Sequence, residues 1–210
     1  LDRSSAASDV YKRQDADVCM DYHCCNAYTS AQAAAKKWGE HAAEYEAKVQ
    51  QAVRDTDGQM ILYNGQPILA AFHSSSAGVT ANSGDVWVST LPYLHSVESP
   101  EGEDTVPNYY SVKEIPAAEF QQTFLAAHPE ASFAGAPETW VTGRMENASG
   151  RVETVTIGGV TVEGTEVRSL YGLRSACFTA EAAADRVTFH VTGFGHGVGT
   201  VSYTHLTLPT

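Results

Sequence analysis

Apolar residues recur at spacings of three and four along residues 30–55: Trp38, Ala42, Tyr45, Val49 and the pair Ala52/Val53. That period lines them up as one stripe of an α-helix. Thr29 with Gln32 fits a capping box at its start, and Asp57-Gly58 supplies the stop. Beyond it, residues 60–63 and 67–73 read as two strands around Asn64-Gly65, a strong hairpin signal, and the second strand would deliver His73 at its end. Residues 78–110 are loop-like, with scattered Trp87, Tyr93, Tyr109 and Tyr110. A second, shorter helix is expected over 115–127, capped near Ser111 or Pro116. Strands at 151–157 and 160–162 flank Gly158-Gly159, and further strands follow at 167–173, 176–180 and 187–192. The pattern predicts an α+β fold of mostly antiparallel strands and hairpins, with one long N-terminal helix and a second shorter one.

The chain has 210 residues and is 43% hydrophobic, enough for the core of one domain with room for a subdomain. Its net charge of −12 argues against non-specific binding to nucleic acid or to anionic lipid. Apolar runs stay shorter than a membrane span requires. Four cysteines are too few for a disulfide scaffold. Three of them, Cys19, Cys24 and Cys25, crowd with His23 into seven residues, a set of thiolates and an imidazole that suits zinc. Buried free thiols, or a strained vicinal pair of Cys24 and Cys25, are the other readings. A closed four-ligand zinc site is structural, whereas three ligands plus water make a catalytic one; the structural role is the expectation.

Four glycines alternate with other residues in Gly193-Phe194-Gly195-His196-Gly197-Val198-Gly199. Without Cβ atoms such a backbone approaches another strand or a ligand closely. In an extended chain the glycines share one face, and Phe194, His196 and Val198 share the other. Alone, a Gly-His-Gly run is equally a glycine-rich loop with an incidental histidine. His73 precedes three serines, Ser74, Ser75 and Ser76, then Gly78 and Thr80. This cluster offers donors and acceptors for sugar hydroxyls, or is simply a solvated turn. A serine hydrolase with His196 as base lacks its Gly-x-Ser-x-Gly elbow. Arg174 suits either a bidentate carboxylate contact or a structural ion pair. Cys177, in an apolar stretch, reads as a core thiol.

These segments, in order, resemble the SpoIID/LytB family, the stage II sporulation protein D group. The glycine run resembles that family's Gly-[Trp/Phe]-Gly-His-Gly-Val-Gly signature. The stretch from Asp17 to Tyr28 resembles its cysteine-containing segment, and Phe72 to Thr80 its His-Ser-rich block. Val86-Trp87 through Leu91-Pro92-Tyr93-Leu94 and Val97-Glu98-Ser99-Pro100 resemble the segment after it. Gly164-Thr165-Glu166-Val167-Arg168 and Gly172-Leu173-Arg174-Ser175-Ala176-Cys177-Phe178 resemble its Gly-Leu-Arg-Ser block. The match covers roughly residues 15–199. The stretches 1–14 and 201–210 are expected to be foreign, adapter-like tails, or else polar termini, leaving 15–200 as a partial domain of this family.

The resemblance implies a membrane-anchored, extracytoplasmic enzyme of the bacterial cell wall, active in engulfment during sporulation. Such proteins cleave the bond between N-acetylmuramic acid and N-acetylglucosamine in glycan strands stripped of peptides, as lytic transglycosylases. One carboxylic acid protonates the leaving oxygen, and the muramic 6-hydroxyl then closes on C1. The alternative within the family is a non-enzymatic amidase enhancer, whose partner is a cell-wall amidase. The implied substrate-binding residues are His73, Ser74, Ser75, Gly78, Arg174, Ser175 and His196. The implied zinc ligands are Cys19, Cys24 and Cys25, with His23 replacing a histidine that the family carries upstream. The catalytic glutamate of the family lies upstream of the cysteine segment, in a Glu-Ala-Leu-Lys-Ala-Gln-Ala-Val-Ala-Ala-Arg-type helical region. No stretch of this sequence matches that region, so no residue here is assigned as the acid. Glu98 and Glu101 flank Ser99-Pro100 without a motif to support either.

Overall fold

The computed structural model describes residues 28–202, which fall into two compact units that meet in sequence between Ala71 and Phe72. In the first unit, helix α1 (Ala31–Trp38), a 3-10 turn (Gly39–His41) and helix α2 (Ala42–Asp55) run end to end and realise the long N-terminal helix. Gly39 interrupts it at φ +58°, a left-handed conformation that glycine adopts without a Cβ clash. Ser30, rather than Thr29, is the cap: its Oγ accepts the Ala33 amide at 3.2 Å. Of the predicted stripe, Trp38 stands edge-on to Tyr45, on which His41 stacks, while Val49 and Val53 are exposed.

Strands β1 (Leu62–Tyr63) and β2 (Gln66–Pro67) pair around Asn64-Gly65. This hairpin is shorter than predicted and does not reach His73. Its pairing ends once the Ile68 amide reaches the Ile61 carbonyl, and the Ala71 amide then turns back onto Leu69. Strand β3 (Phe72–His73) belongs to the second unit and pairs in parallel with the late strand β10 (Thr200–Val201). Val201 is buried there.

The second unit carries two antiparallel sheets. Strand β4 (Tyr110–Pro116) runs into helix α3 (Ala117–Ala127), then come β5 (Val141–Glu146), β6 (Val152–Ile157) and β7 (Val160–Glu163). Helix α4 (Gly164–Leu170), β8 (Phe178–Ala182) and β9 (Arg186–Thr192) complete it before β10. One sheet has the order β4-β9-β8, the other β5-β6-β7. The class is α+β, as the pattern predicts. Phe120, Phe124, Val155, Ile157, Val167, Val187 and Phe189 form the fully buried centre between these sheets and helices.

Two local expectations change. Residues 110–116 form a strand ahead of α3, so the helix starts later than 115 and lacks a side-chain cap at Pro116. Residues 167–173 form the end of a helix and its exit, not a strand. The buried positions there, Gly164, Val167 and Tyr171, are spaced by three and four, a helical period that the alternating run Val167, Ser169, Tyr171 conceals. Gly172, at φ +57°, lets the Leu173 amide close back onto the Arg168 carbonyl.

Candidate functional site

The glycine run and the His-Ser block are separated by more than a hundred residues and meet along the backbone. Ser75 and Phe194 exchange both amide–carbonyl bonds, at 3.0 and 2.8 Å, and the Ala81 amide donates to the Gly197 carbonyl at 2.7 Å. The Gly195 amide donates to the Arg174 carbonyl at 2.9 Å, which brings in the Gly-Leu-Arg-Ser block. Side chains do not fit at this crossing. A Cβ on Gly195, which sits at φ +112°, would lie 2.9 Å from the His73 Cβ.

Two imidazoles lie inside this junction, with ring centroids 5.7 Å apart, and Trp87 packs on the second at 5.1 Å. His73 is only 4% exposed, and its Nδ1 is 3.1 Å from the Val198 carbonyl. A carbonyl only accepts, so Nδ1 carries the proton and Nε2 holds a lone pair. That Nε2 is buried and has no hydrogen-bond partner among the described residues. Burial lowers the His73 pKa, the largest of its influences. His196 accepts the Val198 amide through Nδ1 at 3.1 Å. Burial first, then electrostatic coupling to His73 and the positive charge of Arg168 and Arg151, pushes its pKa down to about 4. Both rings are therefore neutral at pH 7.

The serines of the His-Ser block turn inward. Glu101 accepts Ser75 Oγ at 2.6 Å, the Ser76 amide at 2.9 Å and Ser76 Oγ at 2.5 Å. Ser99 Oγ adds a fourth donor at 3.2 Å. Sequence reasoning found the serines but not this carboxylate as their partner, since nothing local in Glu101-Gly102-Glu103 signals it. Ser175 is similarly engaged: its Oγ donates to the Thr192 carbonyl at 2.5 Å and accepts the Cys177 amide at 3.0 Å. Gly78 donates its amide to Ser76 Oγ at 3.2 Å and accepts the Ser99 amide. Ser74 is half-buried beside them. Arg174 sits over the Phe194 ring, its Cζ 4.2 Å from the centroid. The seven predicted substrate-binding residues thus gather in one junction, and His73, Ser75 and Ser175 are buried with their polar groups turned into the protein.

The open space lies next to this junction. A cleft of about 530 Å³ has Trp87 and Val88 on one wall and Arg151, Glu153, Glu163 and Thr165 among the residues of the other. Arg151 is 5% exposed and packs beside Gly197, where an added Cβ would meet its Nη1. Its burial and that of Arg168 depress both guanidinium pKa values. Neither arginine stood out in the sequence, because nothing near either residue marks a buried charge. Cys177 is a buried thiol whose pKa burial raises, in line with the core role read from its surroundings.

Cys19, His23, Cys24 and Cys25 lie outside the described residues. Among the described residues no three His, Cys, Asp or Glu side chains cluster as metal ligands would. No helix among them is long and apolar enough to cross a membrane.

No family model matches the chain. Curated proteins do match it. It is 38% identical over 176 residues to "Stage II sporulation protein D" of Bacillus subtilis (strain 168), covering 84% of this chain and 49% of that protein. It is 31% identical over 201 residues to the "Stage II sporulation protein D" of Bacillus amyloliquefaciens, 96% of this chain and 56% of the relative. A 43-residue stretch, 20% of this chain and 6% of the relative, is 49% identical to an "Amidase enhancer" of Bacillus subtilis (strain 168). The chain belongs to the SpoIID-like family. It spans about half the length of the stage II sporulation proteins that it matches.

Proposed function

We propose that a protein carrying this chain acts outside the cytoplasm on the cell wall during sporulation, cleaving MurNAc–GlcNAc bonds of peptide-stripped glycan as a lytic transglycosylase. The observation that carries this reading is the similarity to stage II sporulation protein D, 31% and 38% identical over most of the chain. The geometry supports a binding role for it. Backbone and side-chain hydrogen bonds tie the junction together, and a cleft large enough for a sugar unit opens beside Trp87. In this reading His73, Ser75, Ser175 and His196 hold the wall of the site, while Ser74, Gly78 and Arg174 stand closer to solvent.

The amidase-enhancer reading rests on the 43-residue match alone. Co-sedimentation with peptide-free glycan, followed by a dye-release assay of a purified cell-wall amidase with and without this protein, separates the two. Glycan solubilised without amidase supports the transglycosylase; stimulation of the amidase with no solubilisation of its own supports the enhancer.

Zinc belongs to the same proposal. Cys19 and Cys25, with Cys24 or His23, form a donor set that suits a tetrahedral zinc ion. Bound there, the ion would cross-link the segment that precedes α1 and supply structural rigidity.

A further inference from the structure

Arg151 poses a physical problem. Its guanidinium is buried, and Nη2 finds no acceptor among the described residues. Among the described residues the arginine ion pairs are those of Arg144 with Glu146 and of Arg186 with Glu114 and Asp185; neither Arg151 nor Arg168 takes part in one. Asp85, on the rim of the same cleft, spends Oδ2 on Asn82 at 3.0 Å and Asn147 at 3.3 Å. Burial disfavours the Arg151 charge, and Asp85 offsets this through its field without a direct bond to the guanidinium. The two histidines beside it are neutral, so they add no further positive charge.

We propose that the cleft over Arg151 is a carboxylate-binding site, and that its ligand is the lactyl arm of an N-acetylmuramic acid unit. This rests on the glycan reading above. Three features select that ligand. Arg151 lines the cleft with a guanidinium whose Nη2 is buried and lacks an acceptor, the kind of donor that a carboxylate satisfies. Asp85, Glu153 and Glu163 stand around the cleft and repel a phosphate or any multiply charged group. Trp87 and Val88 form an apolar wall on which the face of a sugar ring packs. Arg168, one turn beyond the cleft residue Thr165 on α4, adds positive charge to the same region without sharing the contact. Muramic acid carries this single carboxylate once its peptide is removed, so the site would distinguish a stripped strand from a peptide-bearing one, where the same group is an amide.

The test compares N-acetylmuramic acid with its methyl ester and with N-acetylglucosamine, using the full chain and following the arginine guanidinium and tryptophan indole signals by NMR. The acid is expected to move the Arg151 and Trp87 signals and to bind about tenfold or more tightly than either neutral sugar, the usual worth of a charge-assisted hydrogen bond. Arg151→Gln should erase the preference for acid over ester. Equal affinity of the wild type for acid and ester overturns the proposal, as does a preference that survives Arg151→Gln. Should Arg151→Gln fail to fold, the wild-type acid-to-ester ratio decides alone. An acid preference in a protein that never cleaves glycan keeps this site and removes the transglycosylase reading.

Discussion

The ring of His73 hydrogen-bonds the Val198 carbonyl at 3.1 Å, and so stitches the His-Ser block to the glycine run. The same Val198 donates its amide to His196. One residue of the signature therefore fixes the tautomer of one imidazole and the orientation of the other. His73→Ala would open a cavity and leave that carbonyl buried and unpaired. We expect a loss on the order of 2 kcal/mol, read as a lowered urea midpoint at unchanged slope. An unchanged midpoint would show that this bond does not hold the junction.

Glu101 is the hub of the serine cluster, taking four donors from Ser75, Ser76 and Ser99. Glu101→Gln keeps the shape but gives the site an NH₂ where only acceptors fit. The expected cost is about 1–3 kcal/mol. The double change Ser75→Ala with Ser76→Ala should make Glu101→Gln less damaging than it is alone, because the orphaned donors are gone. Strict additivity in that cycle, followed by denaturant unfolding, would contradict a shared network.

The junction was only partly legible in the sequence. Motif blocks carry their own residues, so His73, Arg174 and His196 were visible. The carboxylate that gathers the serines and the guanidinium buried beside the glycine run were not, because Glu101 and Arg151 sit in stretches that read as ordinary loop and strand. The long helix and the 151–163 hairpin were clear from their period and their glycine turn. Residues 167–173 misled because Val167, Ser169 and Tyr171 alternate like a strand, while burial follows Gly164, Val167 and Tyr171. The short pairing of β3 with β10 joins distant parts of the chain, and no local pattern announces such a contact.

Stability should fall in mild acid. His196 has a folded pKa of about 4, below the ordinary 6.5 of an imidazole, and that of His73 is lowered as well. The unfolded chain then binds protons that the folded one refuses. Stability is full above about pH 6.5 and declines as pH falls towards 4, by on the order of 3 kcal/mol for His196. Urea unfolding across this range should show the slope in the wild type and a flatter one in His196→Gln. A wild type equally stable at both ends would contradict buried neutral rings.

Gly195→Ala should also destabilise the fold. It places a Cβ 2.9 Å from that of His73 and forces alanine to φ +112°. The loss is expected to exceed about 1 kcal/mol, visible as a lower thermal midpoint. A midpoint within error of the wild type would mean that the crossing has slack.

Zinc binding is tested by elemental analysis of the purified protein beside Cys19→Ser. One zinc per chain in the wild type and its loss in the variant is the expected result; equal metal in both would remove Cys19 as a ligand.

The most direct measurement of the central claim is mass spectrometry of peptide-free glycan strands digested by a protein that carries this chain across the full length of its relatives. The account predicts 1,6-anhydro-muramic ends, because the muramic 6-hydroxyl, not water, closes on C1. Reducing ends from the longer protein, or intact strands after full incubation, would contradict the claim.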